Sequence, residues 1–359
     1  MGCHTRSVGR IRSLAAILVV VMLCADAVVL AGCAGDADEG AAHPFGPPPE
    51  ASPRVHAWAA GEVGGLLVTT DGGATWSRQR FYLSQRAVDV AFPDVVTGWL
   101  VTEGGTVLAT TDGGAEWTVV KQTGLAVTAL AASSADRAWV LGSGAGAAGG
   151  DVSVVLRTAD GGATWRRTGF GTAQLTDLAF ADDRHGLLVA LDRIWSTSDG
   201  GRVWKLRRTW PMTVLTSVTM TDSRRAWVAG WDTQTGDPLV FTSRDGGTTW
   251  RALRLRVSPA EPGALQARQI AAVAGRLWVT CPAGVLASRD GGRSWELQQV
   301  PAGRPVAIAA ADEAHVLATT ETQPILASAD GGQAWLAFGR ADFLEHPLVA
   351  VAAVAAPAQ

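Results

Sequence analysis

The stretch TTDGGATW, residues 69–76, reads as the end of a strand, a turn and a tryptophan, and the chain writes six close variants of it. They are TTDGGAEW (110–117), TADGGATW (158–165), TSDGGRVW (197–204), SRDGGTTW (243–250), SRDGGRSW (288–295) and SADGGQAW (328–335). The common pattern is Ser/Thr, any residue, Asp, Gly, Gly, two variable residues, Trp. An enzyme needs a catalytic carboxylate once, so the repetition of Asp71, Asp112, Asp160, Asp199, Asp245, Asp290 and Asp330 points to architecture. Each Asp is expected to accept hydrogen bonds from N–H groups of its own turn, and the hydroxyl two residues earlier to add another. The glycines supply the positive φ that a two-residue hairpin turn demands. The Trp is expected to begin the next strand and lay its ring on the sheet. A calcium loop would need several alternating carboxylates, and none is present.

Working outward, the successive Asp spacings are 41, 48, 39, 46, 45 and 40 residues. Repeats of that period, rich in β-formers and turn residues, indicate propeller blades rather than helix pairs. The second repeat divides into AVDVAF (87–92), GWLVTE (98–103), TVLATT (106–111) and EWTVVK (116–121). First strands are small and apolar, as an inner strand around a channel requires; fourth strands carry Arg and Lys, as a solvated outer edge does. The first repeat is one strand short, while PLVAVAAVAA (347–356) is left over at the far end. The expectation is an all-β, seven-bladed propeller over residues 54–359, closed by that C-terminal strand entering the first blade.

Residues 1–32 read as an export leader: a start containing Arg6, Arg10 and Arg12, then the apolar run LAAILVVVML (14–23), then LAGC at 30–33. LAGC resembles the bacterial lipobox, which implies cleavage before Cys33 and its acylation. Residues 33–53 then hold the lipidated Cys and a Pro- and Gly-rich flexible tether. Removing the leader takes three of 30 basic and one of 33 acidic residues, leaving 27 against 32, a net charge of −5. That balance gives no sign of nucleic-acid binding. Cys281 is then the single cysteine left without a lipid, and at the end of RLWVTC it reads as a buried inert thiol.

The octet resembles the Asp-box of bacterial neuraminidase repeats in all seven copies. The wider unit AVDVAFPDVVTGWLVTEGGTVLATTDGGAEWTVV (87–120) is similar to the photosystem II assembly and stability factors and their bacterial relatives. The likeness covers about residues 54–340, with AWV (138–140, 226–228) and LWV (277–279) echoing it. It implies a seven-bladed propeller that binds partner membrane proteins during complex assembly, using an arginine-rich patch that no motif maps onto particular residues here. It does not imply photosynthesis, because relatives occur in organisms without it.

Sialidases share the octet, but an Arg-Ile-Pro-type tripeptide is absent and the lone tyrosine, Tyr82, reads as a loop aromatic rather than a nucleophile. Xyloglucan-type hydrolases pair two such propellers around a carboxylate cleft, and one propeller is present here. No His–Cys or His–Asp spacing marks a metal site, and GSGAGAAGGD (142–151) lacks the Lys-Ser/Thr of a phosphate loop and reads as flexible. Neither cofactor nor catalysis is expected.

Two features escape the repeat logic. The residue just before or at the start of each second strand is His56, Thr97, Arg137, His185, Arg225, Arg276 or His315, a register that would gather a cationic collar for an acidic segment or anionic headgroups. Trp210 and Trp231 fall off register, in a link and a loop on the face opposite the repeated turns, where a neighbouring indole pair would anchor a partner or stack on a sugar. The expected function is a monomeric, lipid-anchored, extracytoplasmic scaffold for a membrane or envelope protein. The alternative is a carbohydrate-binding or glycan-processing propeller of the envelope, and a third reading is a membrane-spacing module.

Overall fold

The computed structural model describes residues 55–61, 65–79, 85–146, 150–255, 257, 263–301, 303–322, 325–338 and 348–356. The leader, Cys33, the tether and Tyr82 lie outside the described residues. Seven antiparallel sheets of four strands each account for every described strand. Blade 2 is representative: Ala87–Ala91 is innermost, followed outward by Gly98–Thr102, Thr106–Thr110 and Thr118–Gln122. The seven inner strands touch one another in sequence around a closed ring.

Blade 1 takes its inner strand, Leu348–Ala355, from the far end of the chain. It pairs antiparallel with Val55–Gly61, from Val55 opposite Ala355 to Gly61 opposite Leu348. The expected closure is therefore present, and it leaves neither blade 1 nor the ring with a missing strand.

Adjacent blades are held by large side chains that alternate onto the blade faces. Trp58, Trp99, Trp139 and Trp278, all in second strands, are at most 1% exposed. Burying about 200 Å² of each is worth on the order of 5 kcal/mol before entropy is counted. Trp58 of blade 1 stacks on Phe92 of blade 2 at 3.5 Å between ring centres, and Trp139 of blade 3 stacks in the same way on Phe180 of blade 4. Those rings explain two glycines: a Cβ on Gly98 or Gly186 would lie 2.3 or 2.4 Å from the phenylalanine beside it. The indoles also reach the next blade's turn, Trp58 Nε1–H donating to Gly113 O (2.7 Å), Trp139 to Gly200 O (3.0 Å) and Trp278 to Gly331 O (3.0 Å).

Two expectations about the turns and loops need correction. The fourth strands begin after the repeated Trp, at Ser77, Thr118, Arg166, Lys205, Arg251, Glu296 and Leu336, because the indole is retained by the turn. Gly142–Ala145 is not a loop but continues the second strand of blade 3, pairing with Asp151–Val154 in a long hairpin.

Candidate functional site

The repeated turn is a clip larger than a two-residue hairpin. Both glycines of every copy have φ between 67° and 94°, the left-handed region that a side chain resists. The buried Ser or Thr hydroxyl donates to the Asp Oδ1 at 2.6–2.9 Å. The hydroxyl oxygen in turn accepts the N–H of the second glycine at 2.7–3.0 Å. Oδ1 also accepts the N–H four residues after the Asp at 2.8–3.0 Å. The carboxylate thus closes the turn on both sides. In five copies, Trp76, Trp117, Trp165, Trp250 and Trp295, the indole N–H returns to the second glycine's carbonyl at 2.9–3.2 Å.

These donors hold the seven carboxylates below their ordinary pKa. For Asp290 the Ser294 hydroxyl leads, and the group falls to about 2. At Asp71, Asp199, Asp245 and Asp330 partial burial pulls the other way and is outweighed by the donors. The hydrogen bonds these carboxylates accept all come from their own turn, as a structural clip requires.

The expected cationic collar has a different character. Arg225 pairs with Asp222 at 2.6 Å, His185 with Asp182 at 2.9 Å and His315 with Asp312 at 2.8 Å, each within its own turn. Arg137 reaches Asp183 of blade 4 at 2.8 Å, and Arg276 reaches Glu313 of blade 7 at 3.1 Å. The same aspartates accept the N–H groups of Thr97, His185, Arg225 and His315 at 2.6–2.8 Å, Asp94 serving Thr97. These five side chains are turn and blade fasteners, each held against a carboxylate. His56 sits beside Trp58, with 6.2 Å between ring centres. An Asp three residues before each of Thr97, His185, Arg225 and His315 was visible in the sequence and signalled the pairing.

The indole pair is also reassigned. Trp231 lies inside the second strand of blade 5, Ala226–Asp232, opposite Val214 and Pro238. Trp210 is half-buried against the core between blades 4 and 5, its ring 4.5 Å from Phe241 and edge-on to the clip Trp250 at 6.2 Å. The Arg208 guanidinium sits 5.6 Å over Trp210. Cys281 is fully buried, its thiol pKa pushed up by burial, as a structural thiol's should be.

One cluster was not anticipated. Arg157 and Arg166 are cross-strand partners on the outer half of blade 3. Burial lowers the Arg157 pKa, and the neighbouring charges of Arg202, Arg166 and Arg137 lower it further, against the pull of Asp199. Arg157 is therefore under the influence of three other guanidinium groups, two in its own blade and Arg202 in the turn of blade 4. Among the described residues only Arg137 of the four is ion-paired. The sequence shows Arg on fourth strands but cannot show that Arg157, on a third strand, and Arg202, in the next blade's turn, meet them.

With this geometry in hand, similarities to known proteins can be weighed. The sequence profile described as photosynthesis system II assembly factor YCF48 matches residues 81–173, 171–273 and 211–342. No curated protein matches the chain by sequence. A solved structure of YCF48 bound to D1 peptide superposes with a TM-score of 0.55 at 18% identity, over 80% of this chain and 85% of that one. YCF48 from Cyanidioschyzon merolae gives 0.53 at 20% identity, over 71% and 86%. A GH74 xyloglucanase from Xanthomonas campestris gives 0.55 at 19% identity, over 79% of this chain but only 47% of the enzyme. At such identities the superpositions establish the shared propeller fold alone.

Proposed function

The chain belongs to the photosynthesis system II assembly factor YCF48 family, and we propose that it is a non-catalytic scaffold whose arginine cluster between blades 3 and 4 holds an acidic segment of a partner protein. The observation that carries this reading is the set Arg137, Arg157, Arg166 and Arg202, like charges kept close although three have no ion-pair partner among the described residues. Holding unpaired guanidinium groups together costs free energy that a carboxylate-bearing ligand returns through charge-assisted, bidentate hydrogen bonds. Support from the family is of the same kind, since a YCF48 structure contains a bound D1 peptide. The leader and Cys33 belong to this proposal as a lipid anchor on the extracytoplasmic side of the membrane; intact mass of the N-terminal peptide from native membranes checks the acylation.

The test uses a fluorescent peptide with four glutamates and a free C-terminal carboxylate, beside an amidated peptide with four lysines. The full chain is expected to bind the acidic peptide alone, with an affinity that falls steeply as salt rises. Arg157→Gln with Arg202→Gln is expected to weaken binding at least ~10-fold while leaving thermal unfolding in place. Equal affinity for both peptides overturns the reading. Retention on purified cell-wall glycan without peptide binding would replace it with the carbohydrate reading, to which the GH74 likeness is the pointer.

A further inference from the structure

Each inner strand has one edge paired in its blade and one edge facing the channel, and those channel-side N–H groups need acceptors. One register position supplies them. It follows the bulge of the inner strands and is Ala350, Asp89, Ala129, Asp177, Ser217, Gln269 and Ala307 in blades 1 to 7. Asp89 accepts from its neighbour Val90 N–H (2.8 Å) and from Leu130 N–H of blade 3 (2.9 Å). Asp177 accepts from Leu178 N–H (2.7 Å) and from Val218 N–H of blade 5 (2.9 Å). Ser217 and Gln269 make the corresponding bonds to Ile270 N–H (3.3 Å) and Ile308 N–H (2.6 Å). Four junctions are thus bridged by one kind of contact, two through a carboxylate and two through a group that does not titrate.

The charge around those carboxylates is one-sided. The strands packed against Asp89 are Leu348–Ala355, Val55–Gly61, Gly98–Thr102 and Ala126–Ala132, and their only titratable residue is His56, at the far end of its strand opposite Val354. Those packed against Asp177 are Ala126–Ala132, Ala138–Ala145, Gly186–Ala190 and Thr213–Met220, none with a charged side chain. The one charge that acts on Asp89 is that of Asp177, whereas Asp177 is governed by burial against the N–H groups of Val218 and Leu178 and the Ser217 hydroxyl.

We propose that Asp89 and Asp177 make the cohesion of the ring responsive to pH, fastening the junctions between blades 2 and 3 and between blades 4 and 5 more tightly when the pair carries a proton than when both are ionised. Burial, then the Asp177 charge, pushes Asp89 up to about 7 against the pull of the Leu130 N–H, and burial raises Asp177 to about 6. Both residues are half-buried rather than fully enclosed, which tempers the effect of burial. Burial favours the protonated form of both groups, the Asp177 charge favours it further at Asp89, and the N–H groups on both oxygens of each side chain pull the other way. A carboxyl whose folded pKa lies above its unfolded value contributes stability that is complete below about 4 and is lost as pH rises through about 6 and 7.

Hydrogen exchange of the full chain, corrected for the intrinsic pH dependence of exchange, reads this directly. Between pH 5.5 and 8, opening of 126–132 and 213–220 is expected to increase ~10-fold, and that of 305–310, bridged by Gln269, to stay constant. Asp89→Asn with Asp177→Asn should abolish the increase. Should that variant fail to fold, ¹³C carboxyl titration of the unaltered chain still decides: two resonances with midpoints between about 5.5 and 7.5 support the proposal. Midpoints near about 4, or equal pH dependence in all three strands, overturn it.

Discussion

Aspartate is used in two opposite ways in this molecule, and the two regions teach where repetition ends. At the rim, seven carboxylates in seven copies of one turn each take a hydroxyl donor and a backbone N–H, and all are held below the ordinary carboxylate range. In the channel, two carboxylates in seven equivalent positions bridge inner strands and are pushed above that range. The rim sits in water, so donors decide. In the channel wall burial decides, helped at Asp89 by the Asp177 charge, although the donors there are also good ones. A position filled identically seven times serves the blade, whereas one filled by Asp, Ser, Gln and Ala serves particular junctions.

The largest test of that contrast is closure itself. A chain ended at Glu345 lacks the inner strand of blade 1 with buried Leu348, Ala350 and Val351. It is expected to lose more than about 5 kcal/mol and its cooperative thermal transition by circular dichroism. If it merely frays, the ring is not one cooperative unit and junction-specific effects lose their meaning.

Next is the acid limb. The clip carboxylates have folded pKa values below their unfolded 3.8, so their contribution is present above about 4 and lost as pH falls toward about 2, the value of Asp290. Unfolding midpoints measured from pH 5 to 2 should drop steeply, and Ser294→Ala, which removes the leading donor to Asp290, should begin the drop at higher pH. An unchanged acid limb in that variant would break the assignment of acid stability to the clips.

Within one clip, Ser288 receives the buried Gly292 N–H at 2.8 Å and is 3% exposed. Ser288→Ala strands that N–H and is expected to cost about 2 kcal/mol in denaturant unfolding. The smallest effect separates two similar tryptophans. Trp58 donates to the next blade's clip, whereas the Trp227 indole N–H is buried without a partner among the described residues. Trp58→Phe should therefore destabilise by roughly 1 kcal/mol more than Trp227→Phe, since only the first loses a hydrogen bond.

How much of this was legible in the sequence follows the range of the interactions. The clips, the blade count and the closing strand are local or periodic, and the octets and the leftover PLVAVAAVAA announced them. The pairing of the cationic collar was not legible where its partners, Asp183 and Glu313, lie in neighbouring blades. Trp231 looked like a loop residue because the second and third strands of blade 5 run to Asp232 and Pro238, beyond the repeat's usual length.

The sequence by itself determined a ring of seven four-stranded blades, because the turn is closed within its own octet and recurs seven times at a blade-length spacing. Tertiary structure alone decided which charges are available. Arg202 comes under the influence of Arg157 only when blade 4 docks on blade 3, and Asp177 acts on Asp89 from two blades away. Charge acts through space, and the distances between blades are set by packing that no single repeat contains.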